Sequence, residues 1–188
     1  MDIGAKERNI YMKLDLYHMN IEYNTYLQHY DTRVAMLKRH KEDRPFIGTV
    51  FYANDKKFFA PLTSPKEKHL YMKDTKDFVK IEEGKLGGIN LNNMIPVPEE
   101  NIERIVIENI KDEKYANMLQ KQIYWIKANQ EMIMEKAHDL YYLIIDKQAN
   151  ERLQQRCCNF KILEEKYTDY IEKSNYLRET EIVYYYIA

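Results

Sequence analysis

The chain has 188 residues, 45% hydrophobic and 31% charged, with five glycines and five prolines, a composition that suits one folded domain over residues 1–188 and excludes long disordered linkers. Its 29 Lys and Arg against 30 Asp and Glu give a formal net charge of −1, which excludes an overall basic nucleic-acid binder and confines any RNA site to a local patch. Two adjacent cysteines, Cys157 and Cys158, exclude a disulfide framework or zinc site and point to a reducing cytoplasm, and neither a membrane span nor a signal peptide is legible.

From Asn9 to Tyr17, Ile10, Met12, Leu14 and Leu16 alternate with polar or tyrosine positions, the period of two of a half-buried strand. Between Glu22 and His40 the spacing becomes helical, with Tyr23, Tyr26, Leu27 and Tyr30 on one side, then Val34 and Leu37 before a basic end. Phe46 to Tyr52 and Lys57 to Leu62 are rich in β-branched and aromatic residues and read as a β-hairpin, since Asn54-Asp55 tolerates the backbone angles of a tight turn. Pro61 lacks an N–H and so places the second strand at a sheet edge or near its own end. After a polar loop from Ser64 to Lys76, short strands are expected at Phe78 to Ile81, Gly88 to Val97 and Ile102 to Ile110.

Beyond Lys111, Leu119, Ile123, Ile126, Ile133, Ala137, Leu140 or Tyr141, and Ile144 recur at three- and four-residue spacing, which predicts one long helix. Asn159 is a good N-cap for another, with Phe160, Leu163, Tyr167 and Tyr170 as its buried stripe. The tail from Glu181 to Ala188 reads as a final strand or an oligomer contact. Strands first and helices later predict an α+β domain. Most of the 17 tyrosines are expected in cores and interfaces, although such rings can also stack on bases.

Chemistry concentrates in Ala60-Pro61-Leu62-Thr63-Ser64-Pro65-Lys66, where two hydroxyls and an ammonium group stand just past a strand end, the hydroxyls flanked by two prolines that restrict the backbone. Such groups can hold a phosphodiester and stabilise the charge that develops when phosphorus becomes five-coordinate. The same residues also make ordinary turns, and spacing alone favours the turn. The histidines lack metal-ligand spacing; His40 and His69 flank the hairpin and could act as acid or base. Glu82-Glu83 and Glu99-Glu100 read as solvated acids, and Gly84, Gly87 and Gly88 as turn residues rather than a phosphate loop. Two basic runs, Arg33, Lys38, Arg39, Lys41 and Arg44, then Lys56, Lys57, Lys66 and Lys68, read by themselves as solvated faces.

Four segments in order, Phe46-Ile47-Gly48, Ala60 to Lys66, Gly88 to Pro96 and Cys158 to Tyr167, together resemble the ToxN/AbiQ family of type III toxin–antitoxin and phage abortive-infection toxins. The resemblance runs from about Pro45 to Tyr170 and includes the helix around Met118 to Ala128. It implies a strongly bent antiparallel sheet of the Kid/MazF type with packed helices. It also implies a cytoplasmic, sequence-specific endoribonuclease that needs no metal or other cofactor, in which the ribose 2′-hydroxyl attacks to leave cyclic phosphate and 5′-hydroxyl ends. The family's Thr-Ser-Pro-Lys matches Thr63 to Lys66, which assigns phosphate stabilisation to Lys66 and hydrogen bonding at the scissile phosphate to Thr63 and Ser64. The segment before Phe46 departs from the family's tyrosine and lysine. His40 and Arg44 stand there, as a proton-transfer group and a phosphate ligand. The implied partners are an RNA substrate and an antitoxin RNA pseudoknot, made from tandem repeats and bound in a closed toxin–RNA assembly. Backbone contacts are expected among Arg33, Lys38, Arg39, Lys41, Lys56, Lys57, Lys68, Lys114, Lys121, Lys127, Arg152 and Arg156. The competing readings are a non-catalytic RNA-binding module and a scaffold whose tyrosines make protein contacts.

Overall fold

The structure, a computed structural model, describes residues 14–37 and 44–187, with 178–187 as backbone alone. Its elements are β1 (Asp15–Met19), α1 (Ile21–Tyr30), β2 (Phe46–Ala53), β3 (Lys56–Thr63), α2 (Glu67–Tyr71), β4 (Phe78–Lys80), β5 (Gly88–Asn90), β6 (Ile95–Pro96) and β7 (Ile102–Arg104), followed by α3 (Glu113–Ala128), α4 (Gln130–Ile145), α5 (Glu151–Arg156) and α6 (Phe160–Ile187). Strands dominate the first half and helices the second, the expected α+β arrangement. Among the described residues the strands form one antiparallel sheet in the order β4-β5-β3-β2-β1-β7, with β6 also on β3.

The hairpin forms where its composition places it. Asn54 (φ 48°) and Asp55 (φ 60°) make a two-residue turn closed by the Ala53–Lys56 pair, a geometry whose twist matches that of the strands. The first strand keeps its expected phase, since Leu14 and Leu16 are fully buried; residues 9–13 lie outside the described residues.

Pro61 lies close to the end of β3, which stops at Thr63, one of the two alternatives its missing N–H allowed; the other is ruled out, because β3 lies inside the sheet rather than at its edge. Phe58 and Phe59 pair with β6, and Leu62 and Thr63 with β5, so Pro61 falls in the gap between two partners. Leu62 N–H donates to Pro45 O on the β2 side at 2.8 Å, so the proline nitrogen faces that gap, where no ladder bond is owed.

Helix α1 stops at Tyr30, well before His40. Asp31 is extended (φ −146°, ψ 108°), and its carboxylate accepts from the Arg33 backbone and guanidinium, local bonds that compete with helix continuation. The single long helix expected beyond Lys111 is two helices. At Asn129 (φ −118°, ψ 19°) the side chain donates to Trp125 O at 2.8 Å, and its amide meets the carbonyls of Trp125 and Ile126, which ends one ladder before the next starts. The polar loop after Thr63 contains the short α2, and the expected strand from Ile102 to Ile110 keeps only β7 before turning into a 3₁₀ segment. The tail is helical through Ile187 rather than a strand, because α6 meets neither glycine nor proline and adding a residue to a formed helix costs less than starting a new element.

Burial is greatest between β2, β3 and the helices. Phe51, Phe58, Tyr141 and Phe160 form an aromatic cluster with ring centroids 4.6–6.2 Å apart. Tyr23, fully buried, donates to Pro96 O at 2.7 Å and meets the Tyr170 ring at 4.8 Å, joining α1 to β6 and α6. These tyrosines serve the core, whereas Tyr30, Tyr71, Tyr124, Tyr142 and Tyr176 are exposed.

Candidate active site

β3 carries the chain out of the sheet at Thr63, which pairs with Gly88, and leaves Ser64, Pro65 and Lys66 exposed before α2 begins. The β2–β3 register sets Phe46 opposite Pro61, and the bond from Leu62 N to Pro45 O continues it. Arg44 is the next residue out from Pro45, as Thr63 is from Leu62. Arg44, Thr63, Ser64 and Lys66 therefore lie at one end of the hairpin. Arg44 is half-buried, and burial lowers its pKa.

The Ile81–Gly87 turn packs against this loop. Gly87 (φ +88°) approaches so closely that a Cβ there would lie 2.0 Å from Thr63 O and 2.9 Å from Ser64 C. Gly84 (φ +93°) meets α2 in the same way, its Cβ position 2.4 Å from His69 O. Gln122 of α3, almost completely buried, holds the turn by donating to Leu86 O at 2.7 Å. Gly84 and Gly87 read correctly as turn residues in sequence, though what they touch did not, while Gly88, read as a turn residue too, instead opens β5, where it pairs with Thr63. Gln122 gave no signal at all, being one more polar residue within a helical pattern.

His69 lies beneath the exposed loop, with its backbone N–H donating to Lys66 O at 2.9 Å and its ring 5.4 Å from that of Phe78. Burial, reinforced by the charges of Lys68 and Lys66, lowers its pKa and favours the neutral imidazole. Its Nδ1 has no hydrogen-bond partner among the described residues. His40, Lys38, Arg39 and Lys41 lie outside the described residues.

The other basic candidates are scattered. Lys68, in α2, is exposed next to the loop. Lys56 and Lys57 sit at the far end of β3, roughly 23 Å from Thr63 along the strand. Lys56 lies 5.5 Å from the Tyr167 ring centre, and Lys57 pairs with Glu99. Lys114 and Lys121 are exposed seven residues apart on one face of α3, while Lys127 lies 3.9 Å from Asp15. Arg152 is exposed on α5. Arg33 and Arg156 are engaged in two-point contacts with the buried Asp31 (2.8 and 2.9 Å) and Asp77 (3.0 and 3.1 Å). Among the described residues no helix is long and apolar enough to cross a membrane.

The sequence profile of the family described as "Toxin ToxN, type III toxin-antitoxin system" matches residues 15–168. Endoribonuclease ToxN of Pectobacterium atrosepticum is 32% identical over 176 residues, spanning 89% of this chain and all of that protein. Endoribonuclease AbiQ of Lactococcus lactis subsp. lactis is 31% identical over 175 residues, 88% of this chain and 93% of its own. A solved structure from work on selective toxin inhibition by a non-coding RNA pseudoknot superposes with a TM-score of 0.75 at 29% identity, covering 86% of this chain and 99% of that one. The structure of AbiQ, described as a lactococcal anti-phage endoribonuclease of a type III system, gives a TM-score of 0.75 at 25% identity with the same coverage.

Proposed function

The chain belongs to the ToxN family of type III toxin–antitoxin toxins, and on that footing we propose that it is an endoribonuclease whose active site is the Arg44, Thr63, Ser64 and Lys66 cluster. The observation that supports this reading is the strand pairing, whose last bond, Leu62 N–H to Pro45 O, leaves Arg44 and Thr63 at the end of the hairpin where Ser64 and Lys66 emerge into solvent.

The RNA supplies the nucleophile. Its 2′-oxygen attacks phosphorus and gives up its proton; the P–O5′ bond breaks; O5′ takes a proton, leaving a 2′,3′-cyclic phosphate and a 5′-hydroxyl. The protein's task is alignment and charge. Lys66 and Arg44 neutralise the phosphorane oxygens, and the Thr63 and Ser64 hydroxyls donate to them. His40 moves protons, since an arginine is a poor proton donor near neutral pH. None of these steps calls for a metal. The register shift in β2 between Gly48 and Phe51 supports kinship with the strongly bent Kid/MazF sheets.

The partner, by the same membership, is a repeat-derived RNA pseudoknot that fills the site and closes toxin and RNA into an alternating assembly in the cytoplasm. Incubation of the purified protein with RNA in chelator tests the reading. Cleavage with cyclic-phosphate ends is expected, reduced roughly 100-fold or more in Ser64→Ala and Lys66→Ala. Binding without cleavage would make the protein an RNA-binding module, and a pH–rate profile unchanged in His40→Ala would remove the proton-transfer role of that residue.

A further inference from the structure

A cavity of about 750 Å³ opens next to the proposed active site, within the roughly 300–1,000 Å³ range of small-ligand pockets. Two of its lining residues tie it to the catalytic loop. Leu70 belongs to α2, which starts directly after Lys66, and Lys85 lies two residues before Gly87, whose backbone touches Thr63 and Ser64. Its apolar surface is made by Leu70, Val79, Trp125 and Met132. Leu70 and Met132 remain 44% and 41% exposed, so this surface is open to a ligand.

Three lysines, Lys80, Lys85 and Lys136, line the same cavity. Lys136 is held in place by donating to Phe78 O at 2.9 Å, whereas Lys85 is exposed. Two carboxylates, Asp74 and Glu83, complete the lining. An aromatic face with apolar walls takes a nucleobase, and ammonium groups take the phosphates on either side of it. Carboxylates would repel phosphate, but they accept hydrogen bonds from the N–H groups of a base edge. This combination suits a nucleotide inserted base first.

We propose that this cavity holds one unpaired nucleotide of the RNA strand being cut, its base against Trp125 and its flanking phosphates on Lys80 and Lys85. The assignment rests on the endoribonuclease reading and adds a substrate subsite to it. Occupancy contributes affinity for the strand equally in the ground and transition states, while Ser64 and Lys66 act on the scissile phosphate.

Trp125 is the one tryptophan in the chain, so its fluorescence reports occupancy directly. The probe is a single-stranded, fully 2′-O-methylated oligonucleotide, which binds but lacks the attacking hydroxyl. Titration should quench the tryptophan emission saturably, in step with binding followed by the anisotropy of a labelled copy. On cleavable RNA, Trp125→Ala should raise KM about tenfold while kcat stays within about twofold, and Trp125→Phe should restore most of the loss. Lys85→Glu, at an exposed side chain, should raise KM in the same way and keeps the test decisive if Trp125→Ala does not fold. Unquenched emission at saturating oligonucleotide, or an unchanged KM in both Trp125→Ala and Lys85→Glu, would overturn the subsite. A wild-type protein that neither binds nor cleaves RNA would instead overturn the reading beneath it.

Discussion

At Gly87 an added methyl group has nowhere to go, because the atom it would meet 2.0 Å away is a backbone oxygen of Thr63 rather than the end of a flexible side chain. The positive φ of 88° adds strain for any other residue. Gly87→Ala must therefore push the Thr63–Pro65 backbone by about an ångström, a displacement that at a reacting centre costs roughly 100-fold. We expect kcat for RNA to fall by that order in Gly87→Ala, while circular dichroism still reports a folded protein; an unchanged kcat would show that the loop shape does not govern cleavage. The adjacent cysteines behave in the opposite sense, being fully buried and away from any chemistry. Burial pushes the Cys157 thiol up to about 12 and the Cys158 thiol higher still, so almost no thiolate exists near neutrality. A thiol reagent at pH 8 should label neither residue in the native protein and both after unfolding in guanidinium. Labelling of native protein would contradict the packing around the start of α6.

Between elements, Asp31 is the principal polar tie. It ends α1, receives the Arg33 guanidinium, and accepts the Asn159 N–H at 2.6 Å just ahead of α6. Burial alone would raise its pKa, but the hydrogen bonds from the Arg33 side chain and from the Asn159 and Arg33 amides outweigh it and leave the carboxyl below its ordinary value of 3.8. A depressed carboxyl stabilises the fold fully above its unfolded pKa and loses that contribution as pH falls through the folded one. Asp31→Ala should cost about 3 kcal/mol at pH 7 by urea unfolding, because it strands a partly buried guanidinium. The gap between wild type and variant should narrow only below about pH 4; a gap already closed at pH 6 would rule out an ionised Asp31 as its source. Glu164 makes a similar tie, accepting from Tyr141 at 2.9 Å and from Asn54 at 3.1 Å, so the tip of the β2–β3 hairpin is anchored to α4 and α6.

Across the whole molecule, a formal charge of −1 means that RNA affinity must come from where the cations point rather than from their number. Lys114 and Lys121 are exposed on one face of α3, whereas Arg33 and Arg156 are paired with buried carboxylates. For an RNA contact, Lys114→Ala and Lys121→Ala should each lower the slope of log K against log salt by about 0.7. Arg33→Ala and Arg156→Ala should lower unfolding stability and leave that slope unchanged. A slope insensitive to all four would move the RNA track to another face. The sequence by itself determined the hairpin, its Asn54-Asp55 turn, the N-cap at Asn159 and the α+β order, because strand alternation, turn chemistry and capping depend on neighbours a few residues apart. Only the tertiary structure decided that Pro61 sits inside the sheet, that the apolar stripe beyond Lys111 breaks at Asn129, and that Glu181 onward continues a helix. It alone brought Gly87 against the Thr63–Pro65 loop and Gln122 beneath the turn, since those contacts join residues far apart in the chain whose pairing only the assembled sheet and its packed helices fix.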